Sequence, residues 1–223
     1  VAICDQLEDP ALVKNKLVKR GVTEILTPGV AFGEGMLDQK EHNWLAGLSF
    51  DGPKCGAAFL DASTGTFQVA EGSLDYISTL VGSFRPKELV GQRDVREAVR
   101  EKFPDCYITT LDEWAFVEDA AYQKLCRQLG VSSLKGFGVE QYLLALCSAG
   151  ALIFYLEQTQ HVGLRNICSI SRIDEGKFVW MDRFTVRNLE IFESASGRDG
   201  VSLVDTIDRC CSPMGARLLR SWL

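Results

Sequence analysis

Residues 142–156, YLLALCSAGALIFYL, carry no charged side chain, and this run restricts the architectures open to the chain more than any other stretch. It falls short of the roughly 20 residues that a membrane-crossing helix needs. It therefore reads as a helix buried inside the protein, within a longer helix expected over 140–158. A helix that is apolar all round must be covered on every side. Ala145, Ala149 and Gly150 supply the small residues that let a neighbour approach closely.

The preceding sequence supplies the cover. WLAGLSF, CGAAFLDAS and TFQVAEG are strand-like runs separated by Asp51-Gly52 and Thr64-Gly65, the signature of an antiparallel meander. The period then changes. Ser73 can cap a helix reaching about Phe84, KELVGQ reads as a short strand and DVREAVREKF as a charged amphipathic helix. YITTLD is a further strand, followed by a helix over 118–129. Three strands followed by alternating helix and strand predict an α/β fold, a ribonuclease-H-like mixed sheet with flanking helices.

The flanks differ in character. VAICDQ and EILTPG read as strands, with Asp9-Pro10 as a turn or helix start between them, and residues 30–43 read as a linker. Beyond an irregular strip over 163–176 the sequence becomes all-α. Asp182 caps a helix expected to run to Gly197, Ser202 and Asp205 form a variant capping box for LVDTIDRCC, and Ser212-Pro213 starts a last helix. Leu189, Phe192, Val204, Ile207, Leu218, Leu219 and Trp222 need apolar partners there. Val1 opens without a signal-peptide leader, and both ends look cut from something longer.

The net charge of −6 argues against a surface that tracks phosphates throughout, since non-specific affinity for nucleic acid comes from Lys and Arg releasing counterions. The densest basic stretch, Lys14, Lys16, Lys19 and Arg20, is read as a solvated face. Eight cysteines contain no C-x-x-C pair and only two histidines accompany them, which argues against a zinc site. Reduced thiols fit best, with Cys147 acting as a small buried hydrophobe.

A sheet of this kind raises a nuclease alternative, in which carboxylates gather metal ions. Asp51 and Asp75 are explained by a turn and a first helical turn, Asp61 lacks an acidic partner, and Asp105 is the remaining acid. Asp182, Arg187, Asn188 and Glu190 are read as a cap and an i,i+3 pair, and Arg217 and Arg220 as solvated or turned to a neighbouring domain. His42 and His161 have no identifiable triad partner. Gly136 and Gly138 are read as a tight turn seating Phe137, since a lone Gly-x-Gly is no phosphate loop.

Several stretches carry a family resemblance. VAICDQLEDP with EILTPGV, KGFGVEQ leading into LCSAGALIFYLEQTQ, and VWMDRFTVRNLEIFES followed by DTIDRCCSPMGARLLRSWL together resemble an internal part of a MutS-family DNA mismatch-repair protein. The resemblance implies the end of the mismatch-binding domain plus linker over 1–43, a connector domain over 44–162, and a linker and the start of the helical core over 163–223. It implies a non-catalytic piece of a cytoplasmic, homodimeric protein that recognises mispaired double-stranded DNA and couples ATP and Mg binding to recruitment of MutL, with no membrane. The family's mismatch-reading Phe-x-Glu motif is expected near the N-terminus of the intact protein and is not assigned to any residues here, and no G-x-x-x-x-G-K-S/T string occurs in this sequence. A partner-docking surface is expected on the late connector helices, at Gln123, Lys124, Glu157, Gln158 and Gln160, with Leu125 facing inward. The segments 30–43 and 163–176 are expected to be mobile junctions.

Overall fold

The computed structural model describes residues 1–6, 8, 18–30, 39–104, 106–159, 164–174, 181, 183–197 and 200–223. Asp9-Pro10, Lys14, Lys16, Asp105, Gln160, His161 and Asp182 lie outside them, as do residues 31–38 of the first expected junction and 163, 175 and 176 of the second. Strands β1 (Ala2–Gln6) and β2 (Arg20–Ile25) pair antiparallel as a separate ribbon. The main sheet begins with the expected meander, β3 (Leu45–Asp51), β4 (Lys54–Asp61) and β5 (Thr66–Ser73). Helix α1 (Leu74–Phe84) then leads to β6 (Glu88–Gln92), and α2 (Arg96–Lys102) to β7 (Tyr107–Leu111). Both later strands run parallel to β3, giving the order β7-β6-β3-β4-β5, extended past β5 by the two-residue β8 (Ser171–Arg172). This is the mixed α/β sheet with flanking helices that the sequence predicts.

Strand β4 shows why helices must cover both faces. Successive side chains point to opposite sides of a strand. Cys55, Ala57 and Phe59 pack with Ile77, Leu80 and Val81 of α1, while Ala58 and Leu60 pack with the apolar helix α4 (Leu143–Thr159). Helix α3 (Glu118–Leu129) lies beside α4 and contributes Leu125 to the same core.

Close contact with α4 depends on two glycines. A Cβ at Gly56 would stand 2.2 Å from the Leu144 carbonyl carbon, and one at Gly150 would stand 2.4 Å from Ala121 Cβ. The helix also carries a buried polar anchor. Ser148 Oγ donates to Gly56 O at 2.9 Å, and Ser49 Oγ donates to Leu144 O at 2.6 Å.

Helix α4 begins three residues later than expected. The Glu140 carboxylate accepts from Tyr122 Oη at 2.8 Å and Ser133 Oγ at 3.3 Å, so it belongs to a turn. The first free N–H groups of the helix are capped from the sheet, where Glu71 Oε2 accepts from Leu144 N at 3.0 Å and Ala145 N at 3.4 Å.

The C-terminal helices are shorter than their apolar pattern suggests. Helix α5 (Arg183–Asn188) stops well before Gly197, because Glu190 adopts a left-handed φ of 50° and Oε1 accepts from Ala195 N at 2.8 Å. That conformation also replaces the expected Arg187–Glu190 pair. The Glu190 and Ile191 carbonyls instead receive Leu203 N and Val204 N, the start of α6 (Leu203–Ile207). The Ser202–Asp205 capping box forms with both of its bonds, but α6 ends where Asp208 Oδ1 accepts from Cys210 N at 3.0 Å and turns the chain. Helix α7 (Pro213–Trp222) starts as expected, with Ser212 Oγ accepting from Gly215 N at 3.2 Å.

Candidate partner-docking surface

Helices α3 and α4 form one continuous surface. Ala121 meets Gly150, Lys124 meets Phe154 and Glu157, and Gln128 donates to Leu164 O at 2.7 Å and Ile167 O at 3.1 Å. Contacts thus advance in the same direction along both helices, so the pair run side by side as parallel neighbours. Lys124 Nζ lies 2.5 Å from Glu157 Oε2 and 5.3 Å from the Phe154 ring centroid. The ammonium is therefore tied to α4 by a carboxylate on one side and a π-face on the other. Gln123 and Gln158 are exposed, and Leu125 faces inward as the spacing predicts. A shallow cavity of about 250 Å³ opens beside them, lined by Lys124, Arg127, Gln128, Glu157, Leu164 and Arg165. The surface offers charge and amides on two helices packed against each other.

Among the described residues, the acids that a metal-dependent nuclease would use, Asp51, Asp61 and Asp75, form no cluster of three or more potential metal ligands. Asp51 and Asp75 are exposed, and Asp75 lies 3.5 Å from Lys102. Asp61 is fully buried with a partner the sequence did not suggest, since His42 Nδ1 donates to its Oδ2 at 2.6 Å. Its other oxygen accepts from Ser63 N at 3.0 Å and Ser63 Oγ at 2.6 Å. Burial pushes this carboxyl up, but hydrogen bonds from His42 and Ser63 and the charge on His42 outweigh it and leave it below the usual carboxylate range. Asp61 is committed to holding His42, and no group of three or more potential ligands for a metal occurs among the described residues.

A second buried carboxylate was also missed. Glu88, fully buried at the head of β6, accepts from Gly29 N at 3.0 Å, Thr109 Oγ1 at 2.6 Å and Tyr155 Oη at 2.7 Å. Burial raises the Tyr155 phenol well above its ordinary value, so Tyr155 remains a donor. The network fastens residues 27–30, just after the ribbon, onto the sheet. Asn43 adds Nδ2 to Pro28 O at 3.3 Å. Both described ends of the expected 30–43 linker are therefore fixed to the sheet body. Phe137 sits in a short turn ending at Gly138 and packs partly buried against the α4 core, as expected. Burial raises the thiols of Cys55 to about 12 and Cys147 to about 11, consistent with inert packing groups.

Residues 43–167 match the family model described as MutS domain II, and residues 184–223 match MutS domain III. The chain belongs to the MutS family. It is 47% identical to the DNA mismatch repair protein MutS of Parabacteroides distasonis and 48% identical to those of Phocaeicola vulgatus and Bacteroides thetaiotaomicron, in each case over 100% of this chain and 26% of the relative. The sheet body is thus a MutS connector, with part of the MutS core following it, and the nuclease alternative is not supported. No described helix is long and apolar enough to cross a membrane.

Proposed function

We propose that this chain serves within a homodimeric DNA mismatch-repair protein as the body that links mispaired DNA and bound ATP with Mg to recruitment of MutL. Reading the mismatch and hydrolysing ATP belong to other parts of that protein. The chain contributes a rigid platform, and MutL docks on the α3–α4 surface at Gln123, Lys124, Glu157 and Gln158, with Gln160 outside the described residues. The observation that carries this reading is the Lys124–Glu157 pair above the close Ala121–Gly150 contact. It makes the two helices one preformed surface, so binding need not bear the cost of ordering it.

The test uses the full-length protein. Lys124→Glu with Gln158→Arg is expected to weaken MutL recruitment about tenfold while mismatch binding and ATPase persist, as for loss of a central polar contact. Lys124→Glu sets two carboxylates together, so the exchanged pair Lys124→Glu/Glu157→Lys serves as control. It restores the local attraction with reversed polarity, and it too should recruit poorly. Normal recruitment by both variants would place the dock elsewhere.

A further inference from the structure

Arg217 and Arg220 on α7 do not face open solvent. Arg217 Nη1 donates to Gln39 O at 2.5 Å, and Arg220 stands between two carboxylates, with Nε 3.7 Å from Glu41 Oε1 and Nη1 3.6 Å from Asp208 Oδ2. Lys40 Nζ reaches the same Asp208 oxygen at 3.2 Å. Residues 39–41 thus meet the helical segment through ion pairs at Lys40 and Glu41 and a hydrogen bond at the Gln39 carbonyl. The next two residues are gripped by the sheet body, His42 by Asp61 and Asn43 by the Pro28 carbonyl. One five-residue stretch carries the contacts to both sides.

Arg220 is the unusual member. Only 18% of its side chain is exposed, yet its Nε and Nη1 make no hydrogen bond, since both carboxylates lie beyond hydrogen-bonding distance. A buried guanidinium with unused donors is costly in a single fixed arrangement. It is less so where two arrangements each satisfy it in turn. Asp208 is stabilised as an anion independently of Arg220, by the Cys210 amide first and by Lys40 next, so it remains charged when Arg220 leaves.

We propose that residues 39–43 form a charge-held joint between the sheet body and the helical segment, with Arg220 as a positioning residue shared between Glu41 on one side and Asp208 on the other. Closing on Glu41, Arg220 clamps α7 to the turn; closing on Asp208, it withdraws into the helical segment and leaves the turn to Lys40 and the Arg217–Gln39 hydrogen bond. The joint supplies a two-state element of the kind that relays movement between packed bodies. It rests on the proposed role of the chain as a linking body and identifies where the link is made.

Hydrogen exchange on this chain, resolved to residues 39–43 and 203–222, tests it apart from any assay of MutL. Arg220→Met and Glu41→Gln should each speed exchange of the amides at 39–41 about fivefold, with the double variant no faster than either alone, as expected for one shared contact. The amides of β4 should keep their protection in all three. Glu41 is half exposed, so its variant keeps the test valid if Arg220→Met folds poorly. Raising salt from roughly 0.05 to 0.5 M should reproduce the same local acceleration, because screening shortens the reach of these charges. Unchanged exchange at 39–41 in Glu41→Gln, or multiplicative effects in the double variant, would overturn the joint.

Discussion

The largest fully buried side chains, Phe59, Leu152 and Ile153 among them, lie in the sheet and the helices that cover it, except Leu134 in the turn between α3 and α4. Residues 183–223 bury only Ile191, Val204 and Ala216 among their described apolar residues, and expose Phe184, Leu189, Met214, Leu218 and Trp222. In the sheet body, apolar side chains on both faces of β4 find helices. In the helical segment, α7 turns Arg217 and Arg220 inward and leaves Leu218 and Trp222 outside. Ion pairs join the two regions, Arg85–Glu193 at 2.7 Å and Lys40–Asp208 at 3.2 Å, with Arg85 also lying over the Phe192 ring. Packing fixes the body, and charge fastens the segment to it. Packed cores resist deformation, whereas charged contacts can exchange partners at modest cost.

The largest expected effect lies where helix and sheet backbones touch. Gly56→Ala would press a methyl into the Leu144–Ala145 peptide, and urea unfolding should show a loss of about 3 kcal/mol. A loss below about 1 kcal/mol would mean that α4 lifts off without strain, and the contrast between the regions would fail.

Asp61→Asn comes next, with a loss of about 2 kcal/mol at neutral pH, because a hydrogen-bonded buried anion is replaced by an amide. The sign of its pH dependence follows from the lowered folded value. The carboxylate's contribution is complete above the ordinary carboxylate range and is lost as pH falls through the lower folded value. Stability curves of parent and variant should therefore converge in acid. A gap that stays constant down to the acid transition would show that Asp61 does not act as an anion.

Leu218→Ala should have the smallest effect, within about 0.5 kcal/mol, as for an exposed position without partners. A loss above about 2 kcal/mol would show that this face is buried in solution and would remove the distinction between segment and body.

Legibility in the sequence followed the same division. The meander, the Ser73 cap and the inward Leu125 could be read because period and local capping agree with the final packing. The end of α5 could not, since it depends on Glu190 pairing its carbonyl with α6, a contact that no periodicity reveals. His42 was passed over for the same reason. Its partner Asp61 is 19 residues away and is brought alongside only by the fold. Glu88 gave a faint signal, a lone acid heading an apolar strand, but its three donors come from three separate elements. On the docking surface the outward position of Gln123 followed from helical spacing and that of Gln158 from the polar EQTQ end of the apolar helix, whereas the Lys124–Glu157 pair required the two helices to be neighbours.

The most direct test of this chain as a MutS connector and core segment is an exchange of parts. The matching stretch of the Bacteroides thetaiotaomicron MutS, which is 48% identical across this entire chain, would be replaced by these 223 residues in a strain lacking its own MutS, and the spontaneous mutation frequency measured. The hybrid is expected to bring that frequency down toward the parental level, and Lys124→Glu/Gln158→Arg within it to raise it again. A hybrid that accumulates to normal levels and binds mismatched DNA, yet leaves the frequency as high as in the strain without MutS, would contradict the assignment.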